Sequence, residues 1–219
     1  NESYAEFSAT LDWSMKLVLI IAVPAAVGLI VLAEPLVATL FYGGVFSRDD
    51  VEMTALALQA FSVGLIGFSY VKILAPAYFA REDTKTPVKV GLIALAVNFV
   101  LSVSLAWYLT RIGFTGSHAG LALAISVAAL LNALLLYRGL RRDGVVRHGK
   151  GWASLLLRTL VANAVMTAAL ITLQRPLNWW LESGVFERIS WLAIAILAGV
   201  AAYFVALFAL GMRTSDFRL

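Results

Sequence analysis

The chain is written in long apolar runs separated by short polar clusters. A helix that crosses a bilayer needs about 20 apolar residues, and six runs reach that length: roughly Met15–Leu40, Val51–Leu74, Val88–Leu109, Ala119–Tyr137, Trp152–Leu173 and Ile189–Met212. Little sequence is left for any soluble domain. The pattern predicts an all-α integral membrane protein of about six spans. Its organisation reads as a polar lead-in (1–14), four spans (15–137), a basic loop (138–151), a closing pair of spans (152–212) and a short tail (213–219). The chain begins at Asn1 and shows no signal peptide, so Asn1–Asp12 read as the approach to a helix already inside a larger protein.

Proline and glycine punctuate the runs. Pro24 falls in the middle of the first span and predicts a kink, because proline donates no N–H and crowds the preceding turn. The Glu34-Pro35 step sets off a separate turn, Leu36–Tyr42, and Gly43-Gly44 reverses the chain. Glu34 is either an interfacial carboxylate or a gating or proton-coupling group. Between the second and third spans lies a charge-dense connector, Leu74–Val90, with the sequence LAPAYFAREDTKTPVKV. Ala75-Pro76 is expected to end or kink the incoming helix, and Thr86-Pro87 to start the next one with proline in a first turn, where its missing donor costs nothing. Arg81, Glu82, Asp83, Lys85 and Lys89 make the stretch between them hydrated.

Polar residues inside the spans mark where lipid is absent. At 100° per residue, Gln59, Ser62, Ser69 and Lys72 share one broad face of the second span, with Gly64 and Gly67 outside it. Such a stripe implies an aqueous cavity or a polar neighbour. Lys72 either lines that cavity as a cation or snorkels to the interface, nine residues before Arg81. In the third span Gly91, Asn98 and Ser102 share a face, and an amide there usually bonds to another helix. In the fourth, Gly120, Ala124 and Ala128 form a small-residue groove for which the third span is the expected partner. Thr159, Asn163 and Thr167 in the fifth, and Ala195, Gly199, Ala202, Ala206 and Ala209 in the sixth, read as packing faces.

Charge adds orientation. Lys and Arg number ten in the two basic loops and the tail, against four in the intervening loops: Arg48, Arg111, Arg175 and Arg188. Positive loops stay cytoplasmic, so both chain ends are expected there, with Ser47 and Ser183 outside and Thr84 and Gly144 inside. All six Trp sit near predicted span ends, as interfacial rings do. The net charge of +4 is then a matter of topology and of contact with anionic lipid; nucleic acid is a poor partner. Hydrophobic residues make up 61% of the chain and charged ones 14%, well away from a soluble composition. With no Cys, and with its only histidines, His118 and His148, in opposite loops, the sequence offers no thiolate or histidine metal site and no catalytic triad. It carries no phosphate-binding glycine loop either, so neither an enzyme nor a cofactor is expected.

The Leu74–Val90 connector and the run EPLVATLFYGGVF at Glu34–Phe46 closely resemble the corresponding segments of the MurJ (MviN) family of the MOP exporter superfamily, flippases of the bacterial inner membrane. The resemblance implies fourteen spans in two six-helix lobes plus two more helices, and the six spans here fit the last six: four of the second lobe and the closing pair. It implies a lipid-linked pyrophosphate sugar, lipid II, as cargo, the bilayer and the missing amino-terminal lobe as partners, and a groove at the last two helices for the lipid tail. Lys72, with Gln59, Ser62 and Ser69, would face the cavity. Pro76, Arg81, Asp83, Lys85 and Pro87 would form the cytoplasmic gate or connector. Some members are implied to hold a monovalent cation between an Asn and an Asp one turn apart; Asn98 matches the first, but Ser102 brings no charge, which favours a packing role for both. An exporter of another polysaccharide lipid or of a drug would share this architecture. A non-transporting membrane scaffold is the alternative of a different class.

Overall fold

The computed structural model describes residues 2–113, 117–146, 149 and 151–212. Its helices are α1 (Glu2–Val31), α2 (Ala33–Phe41), α3 (Arg48–Phe79), α4 (Lys85–Arg111), α5 (Ser117–Arg142), α6 (Trp152–Leu173), α7 (Leu177–Glu182) and α8 (Val185–Ala209). Among the described residues the one bridge outside helices joins Gly43 to Phe46, where Gly43 and Gly44, both at positive φ, turn the chain. Six helices, α1, α3, α4, α5, α6 and α8, are long and apolar enough to span a bilayer. Each corresponds to one expected span, and the protein is a multi-pass, all-α membrane protein.

Two boundaries differ from the sequence expectation. The lead-in is helical from Glu2 onward, because Leu11 and Met15 are buried against α3 and α5 with Leu74, Tyr78 and Leu136. Its polar residues find local partners: Asp12 pairs with Lys16 at 2.7 Å and accepts the Trp152 indole N–H at 2.7 Å, and Ser8 donates to the Val145 carbonyl at 2.7 Å. The second difference is at Pro76, where α3 runs on to Phe79 without a break.

The long helices pack as a row, α8, α6, α1, α3, α5, α4, with α2 and α7 capping one end. The tightest crossing is α3 on α5. A Cβ on Gly64 would lie 2.7 Å from the Ser126 Cα, and one on Gly67 would lie 2.6 Å from the backbone between Ala129 and Leu130. Only glycine lets the two backbones come this near, and Ser126, fully buried, uses the approach to donate to the Ala60 carbonyl at 2.7 Å. Gly120 does meet α4, through Leu105 and Leu109 as expected, but the close seam of α5 is with α3. At the far edge α4 buries only Ala94 and exposes Leu92, Leu95, Phe99, Val100 and Trp107.

Candidate transport surface and lipid groove

The four polar residues of α3 do not share one open face. Gln59 turns to α1 and donates to the Ile30 carbonyl at 3.2 Å. Ser62 is buried and donates to the Leu58 carbonyl of its own helix at 2.7 Å; Ser69 is half-buried and does the same to Leu65 at 2.8 Å. Lys72 alone is exposed. The arc that joins the four covers about 140°, wider than the side α3 leaves open, so it begins at α1 and ends on the free surface. Around Lys72 that surface carries Phe61 and Phe68, whose rings stack at 5.6 Å, and Phe79. Pro76, exposed one turn on, has no N–H for the Lys72 carbonyl.

On α4 the Ser102 hydroxyl donates to the Asn98 amide oxygen at 3.3 Å. This contact lies within α4, one turn apart, rather than with α5 as the sequence suggested. The pair offers neutral oxygens only. His118 stands exposed in the first turn of α5, and His148 lies outside the described residues.

The connector proves short and braced. Glu82 adopts the left-handed conformation, φ 60, and the chain closes α3 through Asp83 N–H to the Tyr78 carbonyl at 3.1 Å, a pattern in which glycine is the usual residue. Arg81 reaches Asp143 at the end of α5 at 2.9 Å, and the Tyr78 hydroxyl donates to the Leu136 carbonyl at 2.9 Å. Asp83 accepts from the N–H groups of Lys85 and Thr86 at 3.1 and 3.0 Å, capping α4. The hydrogen bonds from Thr86, side chain first and then backbone, hold its carboxyl below the usual aspartate range. Lys85 opens α4, and Pro87 follows in the first turn, where sequence placed it. Pro76, Arg81, Asp83, Lys85 and Pro87 thus gather at one end of the α3–α5 seam.

A groove of about 450 Å³ opens between α1, α2, α6 and α8, lined almost wholly by apolar atoms of Ile21, Pro24, Gly28, Leu29, Leu36, Met166, Ile196, Val200, Tyr203 and Phe204 among others. Prolines shape it. Pro24 has no N–H to offer the Ile20 carbonyl four residues back, and the buried Tyr203 hydroxyl of α8 donates to that carbonyl at 2.8 Å. Pro35 likewise frees the Val31 carbonyl, and Gln174 donates to it at 3.0 Å. Both proline sites of the first span are therefore tied to the closing pair of helices. Neighbouring side chains take over the hydrogen bonds that proline removes.

One residue with a structural role was missed. Arg188, counted above among loop cations, is 7% exposed. It donates to the carbonyls of Ser183, Leu181 and Ala38 at 2.9, 3.1 and 3.3 Å and to Tyr42 at 3.4 Å, with its guanidinium over the Tyr42 ring. It thereby joins α2, α7 and α8. Two of its acceptors, Ala38 and Tyr42, sit at the C-terminal end of α2, where the Ala38 carbonyl also accepts the Tyr42 N–H at 3.3 Å. Its position gave one clue: a cation in the first turn of α8 opposes the helix dipole, so it needs compensation from elsewhere.

The chain can be compared with known proteins on this basis. The family model for lipid II flippase MurJ matches residues 1–185. A probable lipid II flippase MurJ of Vibrio cholerae is 40% identical over 212 residues, covering 97% of this chain and 39% of that protein. One of Haemophilus influenzae is 39% identical over 97% of this chain and 40% of the relative, and the lipid II flippase MurJ of Burkholderia cenocepacia is 36% identical over the same shares. The chain spans about two fifths of the length of the curated relatives it matches. By the extent of these matches, and with the six spans and their connector as the resemblance implied, the chain belongs to the lipid II flippase MurJ family.

Proposed function

We propose that this chain is the carboxy-terminal part of a flippase that carries a lipid-linked pyrophosphate sugar, the lipid II of its relatives' names, across the bacterial inner membrane by alternating access. The observation that carries the reading is the apolar groove of about 450 Å³ beside the helix row. A long lipid tail has to stay in an apolar medium while its pyrophosphate passes through a polar one, and a groove open along the side of the bundle meets the first need. Helices α1 to α5 act as part of a transporting lobe, with α6 and α8 as the added pair. The other wall of the polar path is supplied by an amino-terminal lobe of the same protein, which the exposed face of α4 and the α3 surface around Lys72 await. Lys72 serves as a point charge for the phosphates. Both chain ends face the cytoplasm, and the protein moves its cargo without making or breaking a covalent bond.

The groove provides the test. A Cβ at Gly28 meets nothing within 4 Å and Gly28 lines the groove, so Gly28→Phe directs a ring into that space and gains about 0.5 kcal/mol of helix propensity over glycine. In the full-length protein this variant should insert and melt at or above the wild-type temperature, yet fail to rescue a flippase-depleted strain. Normal rescue with a filled groove would overturn the tail-binding reading. In the same strain Lys72→Arg should support growth and Lys72→Gln should not; growth with Lys72→Gln would leave Lys72 a snorkelling residue.

A further inference from the structure

A second cavity, about 330 Å³, lies between α1, α6 and the end of α8, at the end of the bundle opposite the α2–α7 cap. Unlike the groove it is polar. Lys16, Ser154 and Arg158 face it, together with Ile20, Leu155 and Met212. Ile20 lines the apolar groove as well, so the two openings lie on either side of that residue. Cationic side chains at the mouth of an apolar groove match the two halves of an anionic lipid.

The local chemistry is set up to receive an anion. Helix α6 begins after Gly151, at φ 102, with no side-chain cap, so the N–H groups of Ala153 and Ser154 in its first turn have no helical acceptor and carry the positive end of the dipole. The Lys16 ammonium spends one donor on Asp12 at 2.7 Å and rests over the Trp152 ring at 5.9 Å, and it has three donors in all. The Arg158 guanidinium gives one bond to the Gly211 carbonyl at 3.2 Å, at the C-terminal end of α8. That bond fixes its direction and shields the cavity from the carbonyls behind it. The remaining N–H groups of its fork are free to grip a phosphate. The Asp12 carboxylate beside Lys16 is already engaged by that ammonium and by the Trp152 indole.

We infer that Lys16, Arg158 and the first turn of α6 form a binding site for the anionic phosphate of a membrane lipid whose tail enters the groove past Ile20. The site stands on the cavity and its cations. It does not require that the protein transport anything, so its failure and that of the flippase reading are separable.

The test is lipid binding by the full-length protein, followed by native mass spectrometry and in nanodiscs. The probes are phosphatidylglycerol, phosphatidylcholine of the same acyl chains, a polyprenyl pyrophosphate and inorganic pyrophosphate. Both lipids carry a phosphodiester, but the choline cation of phosphatidylcholine is repelled by Lys16 and Arg158, so wild type should prefer phosphatidylglycerol by about tenfold. Arg158→Gln should abolish that preference and Arg158→Lys should keep part of it. Ser154→Asp is the second variant: an acid in an exposed first turn favours the helix, so the fold should stand while the phosphate is repelled. A polyprenyl pyrophosphate that displaces phosphatidylglycerol would identify the cargo as the occupant, and failure to displace it would identify a resident phospholipid; either supports the site. Equal binding of the two phospholipids by wild type, or a preference unchanged in both Arg158→Gln and Ser154→Asp, would overturn it. Inorganic pyrophosphate binding as tightly as the lipids would remove the tail from the inference.

Discussion

The seam between α3 and α5 and the wedge between α1, α6 and α8 are both built from helices long and apolar enough to span a bilayer, yet one is closed and the other open. At the seam Gly64 and Gly67 remove side chains, backbones touch, and the hydroxyls of Ser126 and Tyr78 are satisfied by carbonyls across the gap. At the wedge Pro24 and Pro35 each leave a carbonyl without its helical donor, a groove of about 450 Å³ remains, and Tyr203 and Gln174 donate to the two carbonyls. In a bilayer, where lipid is as apolar as the side chains, helices associate through packing and hydrogen bonds. Glycine against a flat partner closes an interface; proline with a borrowed donor holds one ajar.

The comparison is broken most severely at the seam. Gly67→Val places a branched side chain where its Cβ alone would lie 2.6 Å from α5 backbone, and backbone cannot move aside as a flexible side chain can. A loss of about 3 kcal/mol or more is expected, read as a large fall in the melting temperature of the full-length protein in detergent. A melting temperature close to wild type would mean that the two helices do not cross as described.

At the wedge the effect should be smaller. Tyr203→Phe keeps the ring and removes only the hydroxyl that serves the Ile20 carbonyl. The cost of an unmet buried acceptor is about 1–2 kcal/mol. Because Pro24 can supply no alternative donor, this loss should exceed that of removing a hydroxyl bonded to an ordinary helical carbonyl, such as Ser190→Ala on Phe186. Equal losses for the two variants would argue against the proline-linked role of Tyr203.

How these features read from sequence follows from their physics. Six spans were legible because each depends on a long sum of apolar residues, and the start of α4 because Thr86-Pro87 fits a first turn. The helical lead-in was not, since Asp12 and Lys16 look like a polar approach until Trp152, 140 positions away, is seen bonded to Asp12. Gly64 and Gly67 were noticed only for lying outside the polar stripe, and which partner a glycine face meets is a tertiary fact. Arg188 passed for a loop charge because its acceptors are backbone carbonyls, which every sequence contains. The stripe from Gln59 to Lys72 was a correct periodicity attached to too wide an arc.

The smallest expected effect sharpens the picture at the end of the seam. Glu82 holds a left-handed conformation at φ 60, so Glu82→Gly should stabilise the connector by up to about 1 kcal/mol. The check is slower hydrogen exchange at Asp83, whose N–H closes the turn on Tyr78. Faster exchange would show that the Glu82 side chain matters more than its backbone.

The central claim, that a lipid tail occupies the wedge and not the rest of the apolar surface, is tested most directly by photo-crosslinking. The full-length protein would carry p-benzoylphenylalanine in place of Val200, in the groove and 47% exposed, or of Phe99, on the open side of α4 and 69% exposed. It would be illuminated in nanodiscs with a radiolabelled polyprenyl pyrophosphate sugar. Labelling at position 200 should saturate with added lipid and fall when unlabelled lipid competes, while labelling at position 99 stays weak and rises in proportion to concentration. Equal, non-saturable labelling at the two positions would contradict the account.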